Sequence, residues 1–114
     1  MLGLACCGLG IKGAKILASC NPTRFPALRV LYLGENALGN AGTQALASAP
    51  LLRSLRELTL DRNNIRTAGA KALAESPHLD KLELLYVWGN PIDKEGVQPL
   101  RKRFGERLQW YGDE

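Results

Sequence analysis

The residues Leu55, Leu58, Leu60, Asn63, Ile65, Gly69, Leu73 and Ala74 recur by residue type at a spacing of twenty-seven. One step back lands on Leu28, Leu31, Leu33, Asn36, Leu38, Gly42, Leu46 and Ala47. One step forward lands on Leu82, Leu85, Val87, Asn90, Ile92, Gly96 and Leu100, and only Arg101 breaks the final small-residue position. An earlier copy, twenty-nine residues back from the Leu28 copy, aligns Leu2, Leu4, Cys7, Leu9, Gly13, Leu17 and Ala18. The chain therefore reads as one motif written four times, with approximate bounds 1–27, 28–54, 55–81 and 82–114.

Within each copy the apolar period changes from two to about 3.6, the signature of a strand followed by a helix. Leu58 and Leu60 face one way and Thr59 the other, and Ala68 to Ala74 carries a helical face of Ala70, Leu73 and Ala74. Strand, crossover helix and next strand form a right-handed βαβ unit. Its repetition predicts an α/β solenoid, with a parallel sheet lining the concave face and helices on the convex face. No single copy can cover its own leucines, so stability comes from neighbouring copies sandwiching them. With 114 residues, 46% of them hydrophobic, there is material for one domain over 1–114.

Two columns of polar or small residues punctuate the array. Asn36, Asn63 and Asn90 follow each strand at a fixed offset, where a buried carboxamide can pair with the backbone groups of the bend. Removing one is expected to cost about 1 to 3 kcal/mol. Cys7 occupies the same column. Gly13, Gly42, Gly69 and Gly96 sit in the first helical turn, where a missing Cβ lets the helix start approach the strand end. Phe25, Leu52 and Leu79, each beside a helix-stopping proline, are expected to point inward beneath the loops.

The pattern L-x-x-L-x-L-x-x-N/C-x-L resembles the leucine-rich repeat, and the full helix carrying G-x-x-x-L-A resembles the ribonuclease-inhibitor-like subfamily. The S-P-x-L turn and the closing run from Pro99 to Gly105 look like the tail of bacterial members, either a short array or a fragment of a longer one. The resemblance implies a protein-interaction scaffold and supplies no catalytic residues.

A search for chemistry gives the same negative. His78, the only histidine, is expected in a solvated turn without ligand-spaced neighbours. Cys6, Cys7 and Cys20 make no zinc site, and alternation along a strand puts Cys6 outward and Cys7 inward. Three cysteines, an odd number, argue against a secreted disulfide framework and for a reducing, cytoplasmic setting. The opening MLGLACC is too short to hold the charged and apolar regions of an export signal, and no apolar run reaches membrane-spanning length. No catalytic residue, metal or cofactor is predicted.

Binding is more legible. Residues alternating with the leucines stack into columns on the concave face: Gly3, Tyr32, Thr59 and Tyr86; Ala5, Gly34, Asp61 and Trp88; and, at the strand edge, Cys6, Glu35, Arg62 and Gly89. Tyr32, Glu35, Thr59, Asp61, Arg62, Tyr86 and Trp88 are the candidate contacts with a protein partner, because such a mixture makes interface hot spots. A charge of +4 and a pI near 9.2 are only mildly basic. The run Arg101, Lys102 and Arg103, with Arg107, reads as the solvated face of a terminal cap, and as a polyanion or nucleic-acid footprint only in the alternative. A second alternative makes the chain the recognition fragment of a larger enzyme or effector. Pro99 is placed early in the last helix, Gly105 stops it, and Leu108 to Tyr111 add a short final strand. At the other end Leu2, Leu4 and Leu9 flank an open strand edge with three competing readings: a piece of a longer array, a frayed first repeat, or antiparallel pairing with a second copy to form a homodimer.

Overall fold

The computed structural model describes residues 2–3, 6–20 and 28–110. Its elements alternate along the chain: β1 (Leu2–Gly3), α1 (Gly10–Ala18), β2 (Val30–Tyr32), α2 (Gly39–Ala47), β3 (Glu57–Thr59), α3 (Thr67–Glu75), β4 (Leu84–Tyr86), α4 (Lys94–Phe104) and β5 (Leu108–Gln109). The five strands form one parallel sheet in sequence order. Leu31, Leu58 and Leu85 stand in register across it. This α/β repeat fold follows from the periodicity, since a parallel neighbour requires a crossover and each crossover here is a helix.

The core is the repeated apolar set itself. Leu31, Leu33, Leu58, Leu60, Leu85 and Val87 from the strand side, and Leu46, Leu73 and Leu100 from the helices, are fully buried. Leu52 and Leu79 are buried beneath the loops as expected, while Phe25 lies outside the described residues. The helix glycines serve a different approach from the one expected. A Cβ at Gly42 would meet Leu38 at 3.0 Å and Ala14 of α1 at 3.7 Å, and one at Gly96 would meet Ile92 at 2.8 Å and Ala70 of α3 at 3.1 Å. The crowding comes from the apolar residue one turn earlier and from the preceding helix, so these glycines set the helix-to-helix stacking rather than the distance to the strand.

The asparagine column is a ladder between repeats. Asn63 Oδ1 accepts the N–H groups of Asn36 (2.8 Å) and Leu38 (3.4 Å) in the preceding repeat, and its Nδ2 donates to the carbonyls of Leu33 (2.9 Å) and Asp61 (3.1 Å). Asn90 does the same for Asn63 and Ile65 (2.8 and 3.0 Å), and Asn36 for Cys7 and Leu9 (3.0 and 3.2 Å). Each carboxamide therefore completes the bend before its own. A second ladder caps the helices. Asn40 Oδ1 accepts from the N–H groups of Arg66 and Gly69, both at 2.9 Å, at the start of α3. One repeat on from Asn40 stands Thr67, whose hydroxyl donates at 2.7 Å to Asp93 Oδ1, the cap of α4; that bond and the Gly96 N–H, at 3.0 Å, hold the Asp93 carboxyl below the usual range.

Several expectations are corrected. Cys7 is exposed like Cys6, because Cys6 adopts a left-handed backbone (φ 57°) and the strand alternation stops before it. Helix α1 begins at Gly10, which leaves Gly13 at the end of its first turn. Pro99 lies inside α4, which runs on to Phe104 despite the missing donor, and Gly105 with φ 56° ends it. His78 is half-buried, its Nδ1 accepting from Arg53 Nε at 3.0 Å; burial first and then the arginine charge push its pKa down. No described helix is long and apolar enough to cross a membrane.

At the amino-terminal end β1 pairs with β2 alone among the described strands. The side chain of Leu2 and all of Leu4 lie outside the described residues, as do Ala5 and Tyr111, and Leu9 packs half-buried against the core. Ile16 in α1 is 66% exposed, whereas Ala45 and Ala72, its counterparts in α2 and α3, are half-buried against the core.

Candidate functional site

Strand alternation sends every second side chain to the sheet face opposite the helices. Tyr32, Thr59 and Tyr86 stand there in one hydrogen-bonded row, since Tyr32 pairs in register with Thr59 and Thr59 with Tyr86. Two residues further on, past the strand ends, come Gly34, Asp61 and Trp88. Tyr32, Thr59, Asp61, Tyr86 and Trp88 together line an open cavity of about 310 Å³. Trp88 is 40% exposed, one of few large apolar side chains so displayed. A Cβ at Gly34 would collide with the Asp61 carboxylate, so that glycine makes room for the acid to lie across the neighbouring repeat.

The remaining candidates form the rim. Cys6, Glu35, Arg62 and Gly89 are not on a strand edge, as the alternation implied, but in left-handed turns with φ of 57°, 55°, 54° and 74°. Side chains at such positions are strained except for glycine, and here the turn aims them along the array. The Cys6 thiol donates to Glu35 Oε2 at 2.8 Å, and Arg62 Nη1 pairs with Glu35 Oε1 at 3.2 Å. The Arg62 guanidinium lies over the Trp88 ring, 4.7 Å from its centroid. Gly89 leaves the space that Arg62 Cγ occupies. Glu35 is held below the ordinary carboxylate range by the thiol hydrogen bond and the arginine. That same bond pushes the Cys6 thiol up, which makes it a poorer nucleophile.

All seven sequence-predicted contacts therefore lie on one face, but with two roles. Five line the cavity; Glu35 and Arg62 form a half-exposed ion pair that steadies Trp88. Glu57 escaped the sequence reading. Its Oε2 accepts from the Tyr32 hydroxyl at 3.3 Å, and its charge raises the phenol pKa. Period-two spacing from Thr59 was the available signal. Thr59 Oγ1, on the cavity floor, is buried without a hydrogen-bond partner among the described residues.

The basic carboxyl-terminal group is largely engaged within the fold. Arg103 donates to the Leu73 and Ala74 carbonyls at the end of α3 (3.1 and 3.0 Å) and pairs with Asp80 at 3.1 Å. Arg107 donates to the carbonyls of Leu82 and Arg103, both at 2.7 Å, and of Phe104 at 3.1 Å. Arg101 stands over Trp110, 5.5 Å from the ring centroid. The expectation that this run is simply solvated is corrected for Arg103, whose guanidinium serves the last turn of α3. Among the described residues no cluster of histidine, cysteine or acidic side chains could hold a metal ion.

A parallel sheet with one helix per crossover and an asparagine ladder defines an α/β repeat protein. The family described as leucine-rich repeat matches residues 26–47 and 52–74, which supports a leucine-rich repeat protein. No curated protein matches the chain. Domains of this family are generally protein-interaction modules and typically non-catalytic.

Proposed function

We propose that the chain is a leucine-rich repeat solenoid of the ribonuclease-inhibitor-like type that binds a protein partner through the concave sheet face and catalyses no reaction. The observation that carries this reading is the gathering of Tyr32, Tyr86 and Trp88, from two different repeats, around one open cavity on that face. Exposed aromatics steadied by neighbouring side chains lose little entropy on binding and dominate interface energies. The polyanion alternative is weaker because Arg103 and Arg107 are occupied by backbone carbonyls. The three cysteines, unbridged, fit a reducing cytoplasmic setting.

The test is a captured partner titrated by calorimetry against the parent and Trp88→Ala. The substitution is expected to weaken binding by about 2 kcal/mol while leaving helical content intact. Equal affinity for both proteins would retire the site.

We propose as a second reading that the chain pairs with another copy of itself, for which the 66% exposure of the apolar Ile16 on α1 is the support. Ile16 sits about 200° around α1 from buried Ala14, facing away from α2. Light scattering should then give a dimeric mass on dilution to micromolar concentration, and Ile16→Lys a monomer. A parent protein that already runs as a folded monomer rejects the pairing.

A further inference from the structure

We propose that the cavity over β2, β3 and β4 receives one arginine side chain from the protein partner. This rests on the reading of the sheet face as the interface and adds the chemistry of what enters it.

Three independent features of the lining point to a cation with several N–H donors. The walls are the rings of Tyr32, Tyr86 and Trp88, whose faces attract a guanidinium. The cavity also holds the Asp61 carboxylate, which has no side-chain hydrogen bond or ion pair among the described residues. Other acids near this face are engaged: Glu35 with Arg62, Glu57 with Tyr32, and Glu83 with Arg56. On the floor, the buried Thr59 hydroxyl lacks a partner, and a polar atom so placed calls for one. A guanidinium carries five N–H donors in a planar fork, enough to serve Asp61 and Thr59 together while its plane stacks on the aromatic walls.

Size agrees. About 310 Å³, open to solvent on one side, suits a single long side chain. The chain's formal charge of +4 disfavours a strongly basic partner, so the attraction is local, from the Asp61 carboxylate and the aromatic rings to one arginine. The one arginine beside the cavity, Arg62, is held outside it by Glu35 and covers Trp88 from the rim.

The test uses the 114-residue chain, labelled with nitrogen-15, and two blocked glycine-serine peptides differing only at the centre. One carries arginine and the other citrulline, which has nearly the same shape without the charge. The arginine peptide should shift the amides of Tyr32, Thr59 to Arg62 and Tyr86 to Trp88, with a Kd in the millimolar range. Citrulline should bind about tenfold more weakly, a loss of about 1.4 kcal/mol. D61N should weaken the arginine peptide to a similar degree and remove most of its advantage over the citrulline peptide, while leaving the rest of the spectrum unchanged. Equal affinity for the two peptides, an unaffected D61N variant, or shifts confined to other surfaces would each overturn the proposal. So would the absence of any shift at about 10 mM arginine peptide. If Trp88→Ala still weakens the captured partner after such a result, the concave interface stands and only its arginine is removed.

Discussion

Asn63→Ala is expected to lower the unfolding free energy by about 3 kcal/mol, the upper end of the range for orphaned buried groups. The reason is the count of partners in two repeats. Removing the carboxamide leaves the N–H groups of Asn36 and Leu38 without their acceptor. The Asp61 and Leu33 carbonyls each lose one donor but keep another, the Glu35 N–H at 2.9 Å and Asn36 Nδ2 at 3.0 Å, so the cost falls on the two N–H groups. Asn63 is fully buried, so water cannot replace these bonds without opening the bend. With a urea dependence of 1 to 3 kcal/mol per molar, the midpoint should fall by about 1 to 3 M. Gln44→Ala, on the exposed side of α2, should leave it nearly unchanged. An Asn63→Ala midpoint equal to the parent's would show that the ladder does not hold the bends.

Leu58→Ala should be comparably damaging, at about 3 kcal/mol, for a different physical reason. Leu58 is fully buried at the centre of β3, flanked in register by Leu31 and Leu85. Truncation leaves a void that close-packed neighbours in both adjoining repeats cannot fill. The terminal strand supplies the comparison. Leu108 in β5 is only half-buried and has a described neighbour on one side, so Leu108→Ala should cost about 1 kcal/mol. Equal denaturation midpoints for the two variants would contradict a core shared between stacked repeats.

The register of the array was legible because the repeated leucines of the last three copies do the same thing: each turns up buried, and burial is what enforces apolar identity. The asparagine column was legible as a column, but not its direction. Sequence spacing places Asn63 after its own strand and says nothing of a carboxamide reaching back to Asn36, which depends on how the repeats stack. Cys7 was misplaced because alternation was carried through Cys6, where a left-handed turn ends the strand pattern. That conformation recurs at Glu35 and Arg62, residue types that carry no signal for it.

The candidate site was legible to the same depth. Period-two spacing put Tyr32, Thr59 and Tyr86 on one face, and the structure gathers them with Asp61 and Trp88 around a common cavity. What the spacing did not carry was the division between lining and rim, set by the turn that folds Arg62 over Trp88. Nor did a basic run reveal that Arg103 and Arg107 close helix and loop carbonyls, since a charged residue reads alike whether its guanidinium meets water or backbone.

The most direct measurement of concave-face recognition is hydrogen–deuterium exchange on the chain with and without its captured partner. Binding as proposed slows exchange in the segments around Tyr32 to Glu35, Thr59 to Arg62 and Tyr86 to Gly89, and leaves the exposed sides of α2 and α3 unchanged. Protection confined to the helices, with those three segments exchanging as in the free protein, would contradict it.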